Sequence, residues 1–166
     1  MPSYLDPYNP SILAIPAYYV LSLLPHMYAV HTATAGHPTK FDNRNPRSST
    51  LKSSLKGTLD AETYAKYERA ESAHANGMEN LPLFATAVIL GNMAGFKKDG
   101  IGGLTGFAGA VLAVRAAYTV VYIGNKTQGL SVLRSSLWAV GTGLCLRVIV
   151  KAAKALGSRK FGYGVL

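Results

Sequence analysis

Cysteine and charge are the scarce materials of this sequence. Its single cysteine, Cys145, allows no internal disulfide, and no Cys/His spacing of a metal site exists, so no metal centre is expected. Cys145 sits in an apolar run, where a thiol is normally inert, so it is a poor candidate for a nucleophile. Charged residues make up only 15% of the chain, against about 25% in ordinary soluble domains. That shortage, with a mean hydropathy of +0.16, excludes a disordered charged tail and a Glu- and Lys-rich coiled coil. Acidic residues are the rarer sign: 8 Asp and Glu stand against 17 Lys and Arg, a net +9. In a soluble protein this balance would suggest nucleic acid. Here the cations flank apolar runs and contain no interleaved aromatic platform or base-reading motif, so no nucleic-acid partner is expected.

Long stretches nearly free of charge are what the chain has instead. Ile12–Val30 is broken only by Ser22 and His26 among polar types, with Pro16 and Pro25 inside it. Leu81–Phe96 has no charge, Ile101–Ile123 has only Arg115, and Leu137–Val150 has only Arg147. A bilayer core about 30 Å thick needs a helix of about 20 mainly apolar residues. The first and third runs reach that length directly; the second and fourth reach it by continuing into polar flanks. A water-soluble helix repeats a polar face about every 3.6 residues, and Ile101–Val114 shows none. The expected architecture is therefore an all-α integral membrane protein. It has four spans, at about 11–33, 61–96, 101–124 and 131–156, and a basic loop at 37–60, within one domain covering 1–166.

The basic clusters are Lys40 to Lys56, then Lys97 and Lys98, then Lys151, Lys154, Arg159 and Lys160. They suit loops at a lipid surface, which anionic headgroups attract. Because the clusters are nearly balanced between the two sides, they fix no orientation. Residues 1–10 lack a basic n-region, so no cleaved leader peptide is expected. Gly91 with Gly95, and Gly102 with Gly106, form G-x-x-x-G pairs that suggest close helix packing in lipid. Span two is expected to turn at Gly95.

Polar residues inside the spans carry the functional information. In the segment YERAESAHANGMENLPLF (Tyr67–Phe84), a helix places Arg69, Ser72, Asn76, Glu79 and Leu83 on one stripe. His74 lies well round the helix from them. Glu79 directly precedes an apolar run, where an unpaired charge costs about 2.5–3.5 kcal/mol, so a partner is expected. Arg115, with Tyr118 and Tyr122 at i+3 and i+7, forms a second stripe and offers a Glu79–Arg115 ion pair. Arg134, followed by Ser135 and Ser136, opens span four. These arginines can bind an anionic peptide-like ligand, because an arginine–carboxylate fork is strong and selective.

At these residues the sequence resembles the MAPEG family, the membrane-associated proteins of eicosanoid and glutathione metabolism. The resemblance covers about residues 12–156. It rests on ER (Glu68–Arg69) followed by AHANGMENLPLF (Ala73–Phe84), on the Arg115/Tyr118/Tyr122 stripe, and on LRSSLW (Leu133–Trp138). The loop string DNRNPR (Asp42–Arg47) resembles that of uncharacterised bacterial and fungal members.

The resemblance implies an antiparallel four-helix bundle assembled as a homotrimer in the endoplasmic reticulum or another endomembrane. It also implies glutathione bound between neighbouring subunits. Carried over by position, Asn76, Glu79, Arg115 and Tyr122 hold the tripeptide, with Arg69, His74 and Tyr118 nearby. Arg134, with Ser135 beside it, matches an arginine–serine pair that stabilises the glutathione thiolate. A cation beside a thiol lowers its pKa from about 8.5 and raises the reactive fraction. The implied activity is a glutathione-dependent transferase or peroxidase acting on a hydrophobic electrophile that arrives from the bilayer.

Two positions depart from the family pattern. Ser72 stands where several eicosanoid enzymes have an arginine, and Gly77 replaces a polar residue. The loop before Leu133 is also longer than theirs. Two alternatives therefore stand beside the transferase. One is a glutathione-independent isomerase or cyclase using His74, Glu79, Tyr118 or Tyr122 as proton carriers. The other is a non-enzymatic lipid-binding scaffold.

Overall fold

Each long apolar run becomes a helix whose ends are set by local chemistry. The computed structural model describes residues 8–46 and 48–158. Residues 1–7, Arg47 of the DNRNPR string, and Arg159 and Lys160 of the basic tail lie outside the described residues. Helix α1 spans Pro10–Ala33, with Asn9 accepting from Ser11 N and Pro10 in the first turn. Helix α2 spans Ser49–Thr58, α3 Ala61–Met93, α4 Leu104–Ile123 and α5 Gln128–Gly157. A one-turn 3-10 helix, Pro38–Lys40, follows α1.

Helix α2 lies inside the segment expected to be loop. Ser48 caps its start by accepting from Leu51 N. Leu55 packs, with Phe41 and Leu59, against a cluster of Ala29, Ala33, Tyr64, Tyr67 and Ala70. That tertiary contact stabilises a short, Ser- and Gly-containing helix whose own propensity is weak.

Helix α3 has 33 residues, about 50 Å of helix, which is longer than a bilayer core is thick. Asp60 caps it through Glu62 N and Thr63 N. It ends where Gly95 adopts φ +75°, a left-handed conformation suited to glycine, and Phe96 N returns to Gly91 O. Gly95 therefore stops the helix. Helix α4 begins at Leu104, later than the apolar run. Leu104 N and Thr105 N donate to Lys97 O and Lys98 O, so the loop backbone satisfies the first free donors of the helix. A Cβ at Gly103 would lie 2.5 Å from Asp99 O, which fixes glycine there. Gly102 thus precedes the helix, and the Gly102/Gly106 pair is not a packing motif. Gly91 is one: a Cβ there would meet Leu104 at 2.6 Å.

Helix α3 packs against α1, α4 and α5, while α4 also touches α1 and α5. Helices α1, α4 and α5 are each long and apolar enough to cross a membrane. Helix α3 falls short by composition, because its first half carries the polar segment. The outer surface is apolar: Ile12, Val20, Leu24 and Met27 on α1, and Val132, Trp138, Val140 and Val150 on α5, are exposed. Water tolerates such extended patches badly, whereas lipid does not oppose them.

The interior is layered. One apolar cluster joins Ala14, Tyr18, Phe84, Ala87, Val88, Ala108, Val111 and Cys145. The other is the Ala29/Tyr64/Tyr67 cluster beside α2. Between the two lies a polar layer drawn from the middle of α1, α3 and α4.

Candidate polar site between the helices

Arg115 is the centre of the polar layer. It is 5% exposed, and its Nη1 donates to Asn76 Oδ1 at 2.7 Å and its Nη2 to Ala73 O at 2.7 Å. Asn80 Nδ2 donates to Asn76 O at 2.8 Å and steadies the same turn. The guanidinium lies over the Tyr118 ring at 4.5 Å and faces Tyr18 at 5.9 Å. Desolvating a cation is costly, and acceptors with aromatic faces offset part of that cost. Arg115 Nε has no hydrogen-bond partner among the described residues.

Gly77 makes this approach possible. A Cβ there would lie 2.7 Å from Ser22 Cβ and Oγ and 2.9 Å from Arg115 Nη2. Glycine at this position is therefore a packing requirement: α1 and Arg115 both press on the α3 backbone here.

A chain of two cations joined by two edge-on rings continues outward. Tyr118 meets Tyr122 edge-on at 5.5 Å, and Arg134 Cζ lies 4.6 Å from the Tyr122 ring centre. Helix α5 starts at Gln128, where Thr127 accepts from Leu130 N, so Arg134 lies within the second turn and does not open the helix. Arg134 has no carboxylate partner among the described residues. With Ser135 and Ser131 it lines a surface recess of about 480 Å³.

The expected stripe on α3 divides. At about 100° per residue, Arg69 and Asn76 lie close together, and Ser72 and Glu79 lie about 60° further round. Arg69 Nε donates to Ile123 O at 2.9 Å, so Arg69 and Asn76 both reach α4. Ser72 and Glu79 face outward. The Glu79–Arg115 ion pair is not formed: Asn76 and the Ala73 carbonyl occupy the guanidinium, and Glu79 points away from it.

Glu79 instead lines a solvent-open cavity of about 420 Å³ with Ser72, Glu71, His74 and Lys52. His74 turns toward α1, where its Nδ1–H donates to Ser22 O at 2.8 Å, leaving Nε2 as an acceptor in the neutral ring. His26 Nδ1 meets Glu71 Oε1 at 2.7 Å, and the two imidazoles lie 5.2 Å apart. Tyr18, Ser22 and His26 stand at i, i+4 and i+8 on α1. That spacing was a readable signal, since Ser22 and His26 are the polar breaks in the first apolar run.

The nine expected residues thus fall into four places. Arg115, Asn76, Tyr118, Tyr122 and Arg134 form a continuous path. Arg69 binds the end of α4. His74 and Glu79 serve the cavity on α3, and Ser135 faces out from α5. No group of His, Cys, Asp and Glu suited to a metal ion occurs among the described residues. Cys145 lies in the apolar cluster as a free, buried thiol, and it lines a cavity shared with Tyr18, Arg115 and Tyr118.

The model of the MAPEG family matches the chain over residues 12–154. No curated protein and no solved structure matches it.

Proposed function

The chain belongs to the MAPEG family, and on that premise we propose that it is a membrane enzyme joining the thiolate of glutathione to a hydrophobic electrophile, as a transferase or peroxidase. The observation that carries this reading is the path Asn76–Arg115–Tyr118–Tyr122–Arg134. It combines a buried, oriented cation with a second cation that has no carboxylate partner among the described residues.

The residues suit the tripeptide's chemistry. Glutathione carries two carboxylates, one ammonium and one thiol, and it supplies the nucleophile when bound. Arg115 retains the unpartnered Nε–H. Among the described residues Arg134 and Glu79 have no ion-pair partner, so Arg134 can hold an anion and Glu79 can take an ammonium. Arg134 lowers the pKa of a thiol placed beside it, and Tyr122 fixes the plane of that guanidinium. Ser135 adds a hydroxyl donor in the same recess. The apolar outer surfaces of α4 and α5 admit a lipophilic substrate from the bilayer.

The division of the site supports a homotrimer. Glu79 faces out from α3, whereas Arg134 and Ser135 face out from α5, so one chain does not gather them around a tripeptide. A neighbouring copy closes the site. Gly109, Ala113 and Ala117 form an exposed stripe on α4 that permits close backbone approach. Four crossings, with α3 entering the membrane through its apolar second half, make the antiparallel bundle. The matched region then forms one multi-pass domain, in the endoplasmic reticulum of a eukaryotic host. The test is conjugation of glutathione to a generic aromatic halide by purified protein. Arg134→Ala should abolish turnover while leaving the folded protein intact; unchanged turnover would remove Arg134 from the mechanism.

One observation favours a second reading, an isomerase or cyclase that needs no thiol. Glu71, paired with His26, lines the open cavity together with His74 and Glu79, an arrangement suited to moving protons. Stoichiometric glutathione binding in a titration would count against it.

A further inference from the structure

At the end of the helices opposite the His26–Glu71 pair, a groove of about 490 Å³ runs between the start of α4 and the second half of α5. Its walls are apolar, with Leu104, Phe107, Leu144 and Val148. Its rim carries Lys97, Arg147 and Lys151. All three cations are exposed, and none has an ion-pair partner among the described residues. Ile101, also on the rim, is 99% exposed, an arrangement water disfavours and lipid accepts.

The charges of the two ends differ in kind. At the α2 end, Asp42, Asp60, Glu62, Glu68 and Glu71 offset the cations, and Asp42 and Glu62 are paired with Arg44 and Lys126. At the groove end, Lys97, Lys98, Arg147, Lys151 and Lys154 face a single described carboxylate, Asp99. A groove that is greasy along its length and cationic at its mouth is complementary to an anionic amphiphile. The groove lies between the start of α4 and the second half of α5, two helices long and apolar enough to cross a membrane, so an occupant can reach it sideways from a bilayer.

We propose that this groove is a binding site for an anionic membrane phospholipid. The headgroup phosphate sits among Lys97, Arg147 and Lys151, and one acyl chain lies along Leu104, Phe107, Leu144 and Val148. Three cations from two elements match a phosphate with several acceptor oxygens better than a single fatty-acid carboxylate. Basic pockets between membrane helices are a recurrent form of headgroup recognition. The site is independent of the thiol chemistry proposed above. It ties the α3–α4 loop to α5 and holds that end of the protein at the membrane surface.

The test is a lipid titration of the full chain, purified in detergent and followed by native mass spectrometry. Phosphatidylglycerol, phosphatidylcholine and oleate are the probes. The wild type should bind phosphatidylglycerol saturably and well above phosphatidylcholine and oleate. The exposed double substitution Arg147→Gln/Lys151→Gln should weaken phosphatidylglycerol about 30-fold, toward the phosphatidylcholine level. Gly102→Trp keeps every charge, and the position has open space around it on the groove wall. It should weaken binding comparably by filling the groove. Wild-type affinity in the double variant, or equal binding of phosphatidylcholine, overturns the proposal. Undiminished binding in Gly102→Trp reduces the effect to surface attraction and also overturns it, as does a preference for oleate. Glutathione titrated on the same samples should be unaffected by either variant, so this failure is separable from failure of the proposed activity.

Discussion

Arg115 Nη1 donates to Asn76 Oδ1 at 2.7 Å and joins α4 to α3 in the polar layer between two apolar clusters. The contact orients the guanidinium and leaves its Nε free of protein partners. It also accounts for the absence of a Glu79–Arg115 pair: an amide oxygen and a main-chain carbonyl, not a carboxylate, accept from the two terminal nitrogens of the guanidinium.

Removing the acceptor should leave a buried cation incompletely satisfied. Asn76→Leu is expected to cost about 1–3 kcal/mol of stability, seen as a lower melting temperature in detergent. Asn76→Asp keeps an acceptor and should remain close to wild type. Asn76→Leu/Arg115→Met removes both partners and should be milder than Asn76→Leu alone. A double variant worse than the single one would show that the pair is not the source of the effect.

The close approach at Gly77 gives an overpacking test. Gly77→Ala places a methyl group against Ser22 and should cost about 1–3 kcal/mol. Ser22→Gly in the same chain removes the atoms it meets and should recover part of that loss. Thermal unfolding of the four combinations measures the coupling; purely additive losses would locate the clash elsewhere.

A site shared between copies should complement. Glu79→Gln and Arg134→Ala are each expected to reduce conjugation at least tenfold. Co-expressed, they should recover about one quarter of wild-type turnover, because random mixing around a closed ring restores that share of the interfaces. No recovery from mixed assemblies would place both residues in one subunit's site.

The loop carrying the DNRNPR string contains a pH-sensitive turn. Arg44 donates to both Asp42 carboxylate oxygens at 2.9 Å, and this holds the Asp42 carboxyl down at about 2, below its ordinary 3.8. Because the folded value is depressed, the turn's stabilisation is present above the ordinary carboxylate range. It is lost as pH falls through about 2. Carbon NMR of the Asp42 carboxylate should follow that midpoint, and Arg44→Ala should return it toward the ordinary value. A midpoint near 3.8 in the unaltered chain would show that the fork does not persist in solution.

Much of the architecture was legible because lipid imposes a one-dimensional rule: an uncharged run of sufficient length must be a helix. Thus α1, α4 and α5 follow from composition, and the polar segment of α3 from its contrast with the run that follows. Helix α2 was not legible, since its few apolar residues mean little until Tyr64 and Tyr67 give them a surface. The G-x-x-x-G spacing misled at Gly95 and Gly102, because the same residue that lets helices approach also ends them.

The sequence alone determined which residues are costly to hold near lipid: Arg69, His74, Asn76, Glu79, Arg115 and Arg134. Only the tertiary structure decided their partners. A difference of about 60° around α3 sends Asn76 inward to Arg115 and Glu79 outward to the cavity. Periodicity places residues on a broad face. Which edge of that face meets α4 depends on how closely the backbones pack, and here that closeness is set by the missing side chain of Gly77.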